Sequence, residues 1–200
     1  RGRRLVRTGG GRCRSDAAVR RGAGLPLLTV SGRIVWPVDP DPASLSLDDI
    51  AHALSQLCRY NGHTRRFYSV AEHSVLVSRA VPAADALWGL LHDATEAYFG
   101  DLIRPVKPFV PEFAAREAVM MRAVARAFGL AGDEPPASVH DADRRIIADE
   151  MAALLPPFPP HVPSPPAVEP LGVMIAGWAP AAAKLRFLER FAEIAGEIGR

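Results

Sequence analysis

Residues 83–98, "AADALWGLLHDATEAY", constrain the chain more than any other stretch, because a helix built from them has almost no polar face. Ala86, Leu87, Trp88, Leu90 and Leu91 surround its axis, and a helix that is apolar nearly all round belongs at the centre of a fold. Gly100 and Pro105 end it. The same segment carries His92 and Asp93, and charge buried in such a place is costly unless it is paired, hydrogen-bonded or bound to a metal. Other elements must therefore supply partners.

The rest of the chain reads as helices arranged around that one. "LLTVSGRIVWPV" alternates apolar and polar residues about Ser31-Gly32, which predicts a short hairpin beginning near Leu27. Ser46 as N-cap, with Asp49 three residues on, opens a helix whose apolar face is Ile50, Ala53, Leu54 and Leu57. A second helix follows Ser69, carries Val70, Val75, Leu76 and Val77, and stops before Pro82. Residues 111–129, closed by Gly129, and 137–155 give two more. "PPFPPHVPSPPAVEP", residues 156–170, excludes regular structure through its eight prolines, and a last helix over 180–195 has Leu185, Leu188 and Phe191 to bury. The fold class is all-α, a helical bundle with at most a short N-terminal hairpin.

Charge separates the chain into two parts. Residues 1–28 hold eight arginines against Asp16, giving +7, and the other 172 residues hold sixteen bases and twenty-one acids, giving −5. Residues 1–26, rich in Arg and Gly and without apolar period, are expected to be a disordered tail, and 27–200 a single domain. An acidic body lacks the clustered cations that neutralise duplex phosphates, so no duplex nucleic acid is expected as a partner. No apolar run approaches the roughly 18 residues a membrane span needs, and no membrane association is expected. Cys13 and Cys58 have no paired spacing, which fits a reducing compartment and a cytoplasmic location.

Partners for His92 and Asp93 are present. "SVAEHSVLV" puts His73 in the apolar face of the second helix, and "VHDADRRII" puts Asp143 where the fifth turns from polar to apolar. Two imidazoles and two carboxylates from three helices make an octahedral site for Mn, Fe, Co, Ni or Zn, with two positions open.

The order His, His-Asp, Asp resembles that of the HD-domain metal-dependent phosphohydrolases. "RYNGHTRRFYSVAEHSVLVS" followed by "LLHDATEAYFGDLIRPVK" is similar to the subgroup of 5′-deoxynucleotidases and deoxynucleoside triphosphate hydrolases, over roughly residues 28–150 plus the terminal helix. The resemblance implies an HD-domain bundle in which His73, His92, Asp93 and Asp143 hold a divalent metal (Mn, Co, Fe, Ni, Zn or Mg). It implies Glu96 and Asp101 as catalytic groups near the attacking water and the leaving oxygen. Arg59, with Arg65 or Arg66 as alternatives, and Lys107 would contact phosphate, and His63 a nucleotide substrate. Relatives often self-associate, so a homo-oligomer is possible. His140-Asp141, a second His-Asp pair, is set aside because "ADRRI" matches the family and the pair suits a solvated first turn.

Hydrolysis of (deoxy)nucleotide phosphate esters by a metal-activated water is the function so implied. The alternatives are a degenerate module that binds nucleotide or metal without turnover, and a phosphodiesterase acting on another phosphoester. Ala97 stands where guanosine tetraphosphate hydrolases carry the second acid of "HDxxED", and the "GYP" of cyclic-di-GMP enzymes is missing. Tyr60 and Phe67 are stacking surfaces or core aromatics, and His52 a hydrogen-bonded helix residue.

Overall fold

A computed structural model of the protein describes residues 23–163 and 166–198. Strands β1 (Leu27–Leu28) and β2 (Ile34–Val35) pair antiparallel, Leu27 opposite Val35 and Leu28 opposite Ile34, around a turn in which Gly32 takes a positive φ of 82°. The helices are α1 (Leu47–Gln56), α2 (Val70–Ala80), α3 (Ala86–Leu91), α4 (Glu96–Phe99), α5 (Pro111–Phe128), α6 (Ala137–Leu154) and α7 (Pro180–Ile198). The hairpin, α2, α5 and α6 lie where the sequence predicts them. The predicted tail falls outside the described residues over 1–22. No helix among the described residues is long and apolar enough to cross a membrane.

The central place belongs to α2, which packs against α1, α3, α6 and α7. It buries eight of its eleven residues, among them Glu72 and His73. Ser69 caps it by accepting the Glu72 N–H at 3.1 Å. Around it Ile50, Leu54, Val75, Leu90, Leu91, Met120, Val124 and Phe187 form the main core, and each such side chain contributes roughly 1.5–3 kcal/mol on burial.

Three expectations are corrected. The single helix over 83–98 is two short ones, α3 and α4, separated by a turn at residues 92–95 held by bonds of the i→i−3 kind, Ala94 N–H to Leu91 O (3.0 Å) and Glu96 N–H to Asp93 O (3.0 Å). The capping box at Ser46 does not form. Asp49 instead accepts from Thr29 Oγ1, Ser31 N and Ser31 Oγ at 2.7–3.0 Å and fastens the hairpin to α1. On α7, Leu185 is 57 % exposed, and the buried stripe is Ala183, Phe187 and Ile194.

Residues 156–163 and 166–179 have no regular structure, as the prolines require, and buried or half-buried carboxylates take up several backbone N–H groups of the strap over 166–179. Asp149 accepts from Leu171 N and Gly172 N, and the buried Glu72 accepts from Ala176 N, Gly177 N and Trp178 N. The strap is thereby fastened to α2 beside His73.

Candidate metal centre

Four side chains from three places in the chain converge beneath the α3–α4 turn. His73 comes from α2, His92 and Asp93 from the start of the turn after α3, and Asp143 from α6. The Nε2 atom of His73 lies 3.2 Å from His92 Nε2, 3.2 Å from Asp143 Oδ1 and 3.5 Å from Asp93 Oδ2. His92 Nε2 is 3.4 Å from Asp93 Oδ2. Ligand atoms of His73, His92 and Asp93 all lie within 4.8 Å of one another, so these residues could hold a metal ion.

The outer ring nitrogens decide what the inner ones offer. His92 Nδ1 is 2.8 Å from Gly89 O, a carbonyl in the last turn of α3 where i+4 donors run out. A carbonyl only accepts, so this nitrogen carries hydrogen and neutral His92 presents a lone pair at Nε2. His73 Nδ1 is 2.7 Å from the carboxylate of Glu150, which sets the same tautomer. With both rings neutral, two lone pairs would face each other at 3.2 Å with carboxylate oxygens beside them, a repulsion that either a proton on His73 Nε2 or a cation between the rings relieves. The donor set fits a divalent transition ion.

The surrounding charges respond to this crowding. Burial and Arg59 oppose charge on His73, but Glu150 and Asp143 outweigh them and hold its imidazole up at about 9. Asp93 and Asp143 lie below the usual carboxylate range, because the imidazoles and neighbouring arginines overcome the burial that would raise them. Glu96, 4 % exposed, is pushed well above its usual value by burial and by Asp93 and Asp101. Its Oε2 is buried without a hydrogen-bond partner. Asp101 is raised too, chiefly by burial.

Two recesses lie by the cluster, one lined by Arg59 and Arg104, which pair with its carboxylates, and one lined by His92 and Asp93 themselves. One, of about 260 Å³, is mostly apolar, with Ile103, Ile147, Met151, Leu155 and Phe158 in its walls and Arg59, Tyr60, Asp101 and Arg104 at its polar side. The other, of about 360 Å³, is lined by His92, Asp93, Thr95, Lys107, Glu117 and Arg122 among others. Arg59 is buried, with Nη1 3.3 Å from Asp93 Oδ2 and Nε 3.4 Å from Glu150 Oε1. Lys107 Nζ sits 3.4 Å from Glu117 Oε1. Of the alternatives to Arg59, Arg66 donates to Ile175 O and Arg65 is exposed.

Not every expected residue arrives. His63 is exposed and lines neither recess. His52 lines a cleft under the hairpin, and Asp141 is taken by Arg144 and Arg145. Two contributors were not anticipated. Arg104, to which the sequence assigned no role, holds Asp143 Oδ2 through Nη2 at 2.6 Å. Glu150 is fully buried and touches both His73 and the wall of the apolar recess through Tyr60. Its signal was an acid at a core position of α6, midway between the buried Ile146 and Leu154 and two turns beyond Asp143.

An uncharacterized protein of Escherichia coli, YfdR, is 35 % identical to this chain over 172 residues, which cover 83 % of the chain and 93 % of that protein. An uncharacterized protein of Rhodobacter capsulatus is 46 % identical over 87 residues, 39 % of this chain and 44 % of that protein. No protein-family model matches the chain.

Proposed function

The chain belongs to the family of Escherichia coli YfdR, and from its site we propose that it is a metal-dependent phosphohydrolase acting on phosphate esters of (deoxy)nucleotides. The observation that carries this reading is the convergence of His73 Nε2 and His92 Nε2 to 3.2 Å, with both Nδ1 atoms held from behind and carboxylates of Asp93 and Asp143 alongside. The resemblance of the His, His-Asp, Asp order and its flanking text to the HD-domain phosphohydrolases supports it.

His73, His92, Asp93 and Asp143 would hold a divalent ion, which would supply a Lewis acid for a phosphoryl oxygen and acidify a water at neutral pH. The remaining tasks fall to the chain itself. Arg59 and Lys107 neutralise phosphoryl charge, and Arg59 stays in position because Asp93 and Glu150 hold its guanidinium from two sides. Glu96 accepts the water's proton at Oε2, the atom left without a partner, and burial beside Asp93 and Asp101 makes its carboxylate a stronger base than an exposed one. Asp101, in the wall of the apolar recess and also raised in pKa, returns a proton to the departing oxygen. The recess between Ile103 and Phe158 takes the nucleoside, which buries apolar surface against Met151 and Leu155.

The test separates binding from turnover with two variants reloaded with Mn²⁺ or Co²⁺. Asp93→Ala loses the metal. Glu96→Gln keeps it and loses turnover by about 10²-fold or more. Equal activity of Glu96→Gln and wild type would remove Glu96 from the mechanism, and metal binding without turnover in wild type would mark a binding module.

A further inference from the structure

Glu150 has a place in the fold that a structural acid does not need. It lies two turns beyond Asp143 on α6 and is completely buried. Four groups surround its two oxygens: His73 Nδ1 at 2.7 Å and Tyr68 Oη at 2.9 Å hydrogen-bond Oε1, Tyr60 Oη at 2.6 Å hydrogen-bonds Oε2, and Arg59 Nε stands 3.4 Å from Oε1 as an ion pair without hydrogen-bond geometry. A carboxylate offers about four lone-pair directions, and three hydrogen bonds with a guanidinium alongside satisfy most of that capacity. Three of the four lead to the site. His73 presents its other nitrogen to the cluster, while Arg59 and Tyr60 line the apolar recess. Tyr60 also holds a left-handed backbone (φ 57°, ψ 28°), which an aromatic residue adopts only where its surroundings compel it, and its hydroxyl bond to Glu150 is one such restraint.

We propose that Glu150 is the positioning residue of the metal centre, one carboxylate that fixes the tautomer and angle of His73 and at the same time anchors Arg59 and Tyr60 in the wall of the recess. Metal binding and the shape of the recess are then coupled through a single side chain. The inference rests on the metal reading above. By contrast, Tyr68 shares the carboxylate yet is a core residue packed with Leu154 and Ile175. It serves as the control for a loss of structure alone.

The experiment titrates Co²⁺ into chelator-stripped wild type, Glu150→Gln, Tyr68→Phe and Asp93→Ala and records affinity and the visible spectrum of the bound ion. Glu150→Gln, folded by circular dichroism, is expected to bind Co²⁺ about 10–100-fold more weakly with a changed spectrum, because loss of an outer partner of a metal-bound imidazole has that effect. Tyr68→Phe is expected to lose stability and keep wild-type affinity and spectrum. A folded Glu150→Gln with wild-type affinity and spectrum overturns the inference and leaves the metal reading standing. Failure of folded wild type to bind Co²⁺ sinks both. Should Glu150→Gln not fold, imidazole NMR of Zn²⁺-loaded wild type decides. The His73 Nδ1–H resonance is expected downfield of that of His92, because His73 donates to a carboxylate and His92 to a neutral carbonyl. An unprotonated His73 Nδ1, or a resonance no further downfield than that of His92, overturns the inference.

Discussion

Glu96 is the residue whose chemistry and stability pull in opposite directions. Its Oε2 is buried without a partner, beside Asp93 and Asp101, an arrangement that costs about 1–3 kcal/mol. Glu96→Leu is therefore expected to unfold at a higher denaturant concentration than wild type, by about 1 kcal/mol, while losing turnover. The sign with pH follows from the raised folded-state pKa. The carboxyl binds its proton more tightly folded than unfolded, so wild type loses stability as pH rises above the ordinary 4.5 toward the folded value. The advantage of the variant grows over that window and levels off above it; a gap independent of pH would contradict the account. At this scale the grouping of His73, His92, Asp93 and Asp143 was legible, because each is a polar residue within or beside an apolar stretch of sequence. Glu150 satisfies the same criterion and was overlooked, since no motif includes it and Asp149 beside it gives the pair the look of an ordinary charged face. Arg104 was illegible for a different reason: a loop cation says nothing about which helix it will reach.

At the scale of elements, the site depends on how closely α3 approaches α2. Gly89 makes that approach possible. A Cβ at this position would lie 2.9 Å from Ser78 Cα and 3.2 Å from Ser78 N, backbone atoms that cannot step aside. Ser78 Oγ meanwhile donates to Ala86 O across the same interface at 2.8 Å. Alanine has the better helix propensity by about 1 kcal/mol, but overpacking against backbone costs about 1–3 kcal/mol and also shifts the element that carries His92. Gly89→Ala is expected to lower both thermal stability and Co²⁺ affinity, measured by calorimetry and titration; a variant as stable and as tight as wild type would show that the helices can separate without disturbing the centre. The break between α3 and α4 was hidden from periodicity, because over four residues the α and 3-10 repeats place apolar side chains almost alike. Leu185 was misread because Ala183, Phe187 and Ile194 define a stripe rotated away from it, with the smallest residue at its start. Asp49 was read as a local cap, and a long-range bond to the hairpin took it instead.

Across the whole molecule, most elements follow from pattern alone: Pro and Gly punctuate the helices, and apolar periodicity orients α1, α2, α5 and α6. What pattern does not contain is how the irregular strap over residues 166–179 is held. Glu72 accepts three successive backbone N–H groups there, and it stands next to His73, so the polar residues of one buried helix both close the fold and build the site. The most direct measurement is release of phosphate or polyphosphate from ribo- and deoxynucleoside 5′-mono-, di- and triphosphates by chelator-stripped protein, before and after Mn²⁺, Co²⁺, Mg²⁺, Ni²⁺ or Zn²⁺ is returned. The account predicts no release without metal, release from nucleotides once metal is returned, and none from Asp93→Ala under either condition. Release that survives chelation, or loaded protein that hydrolyses no nucleotide in the set, would contradict it.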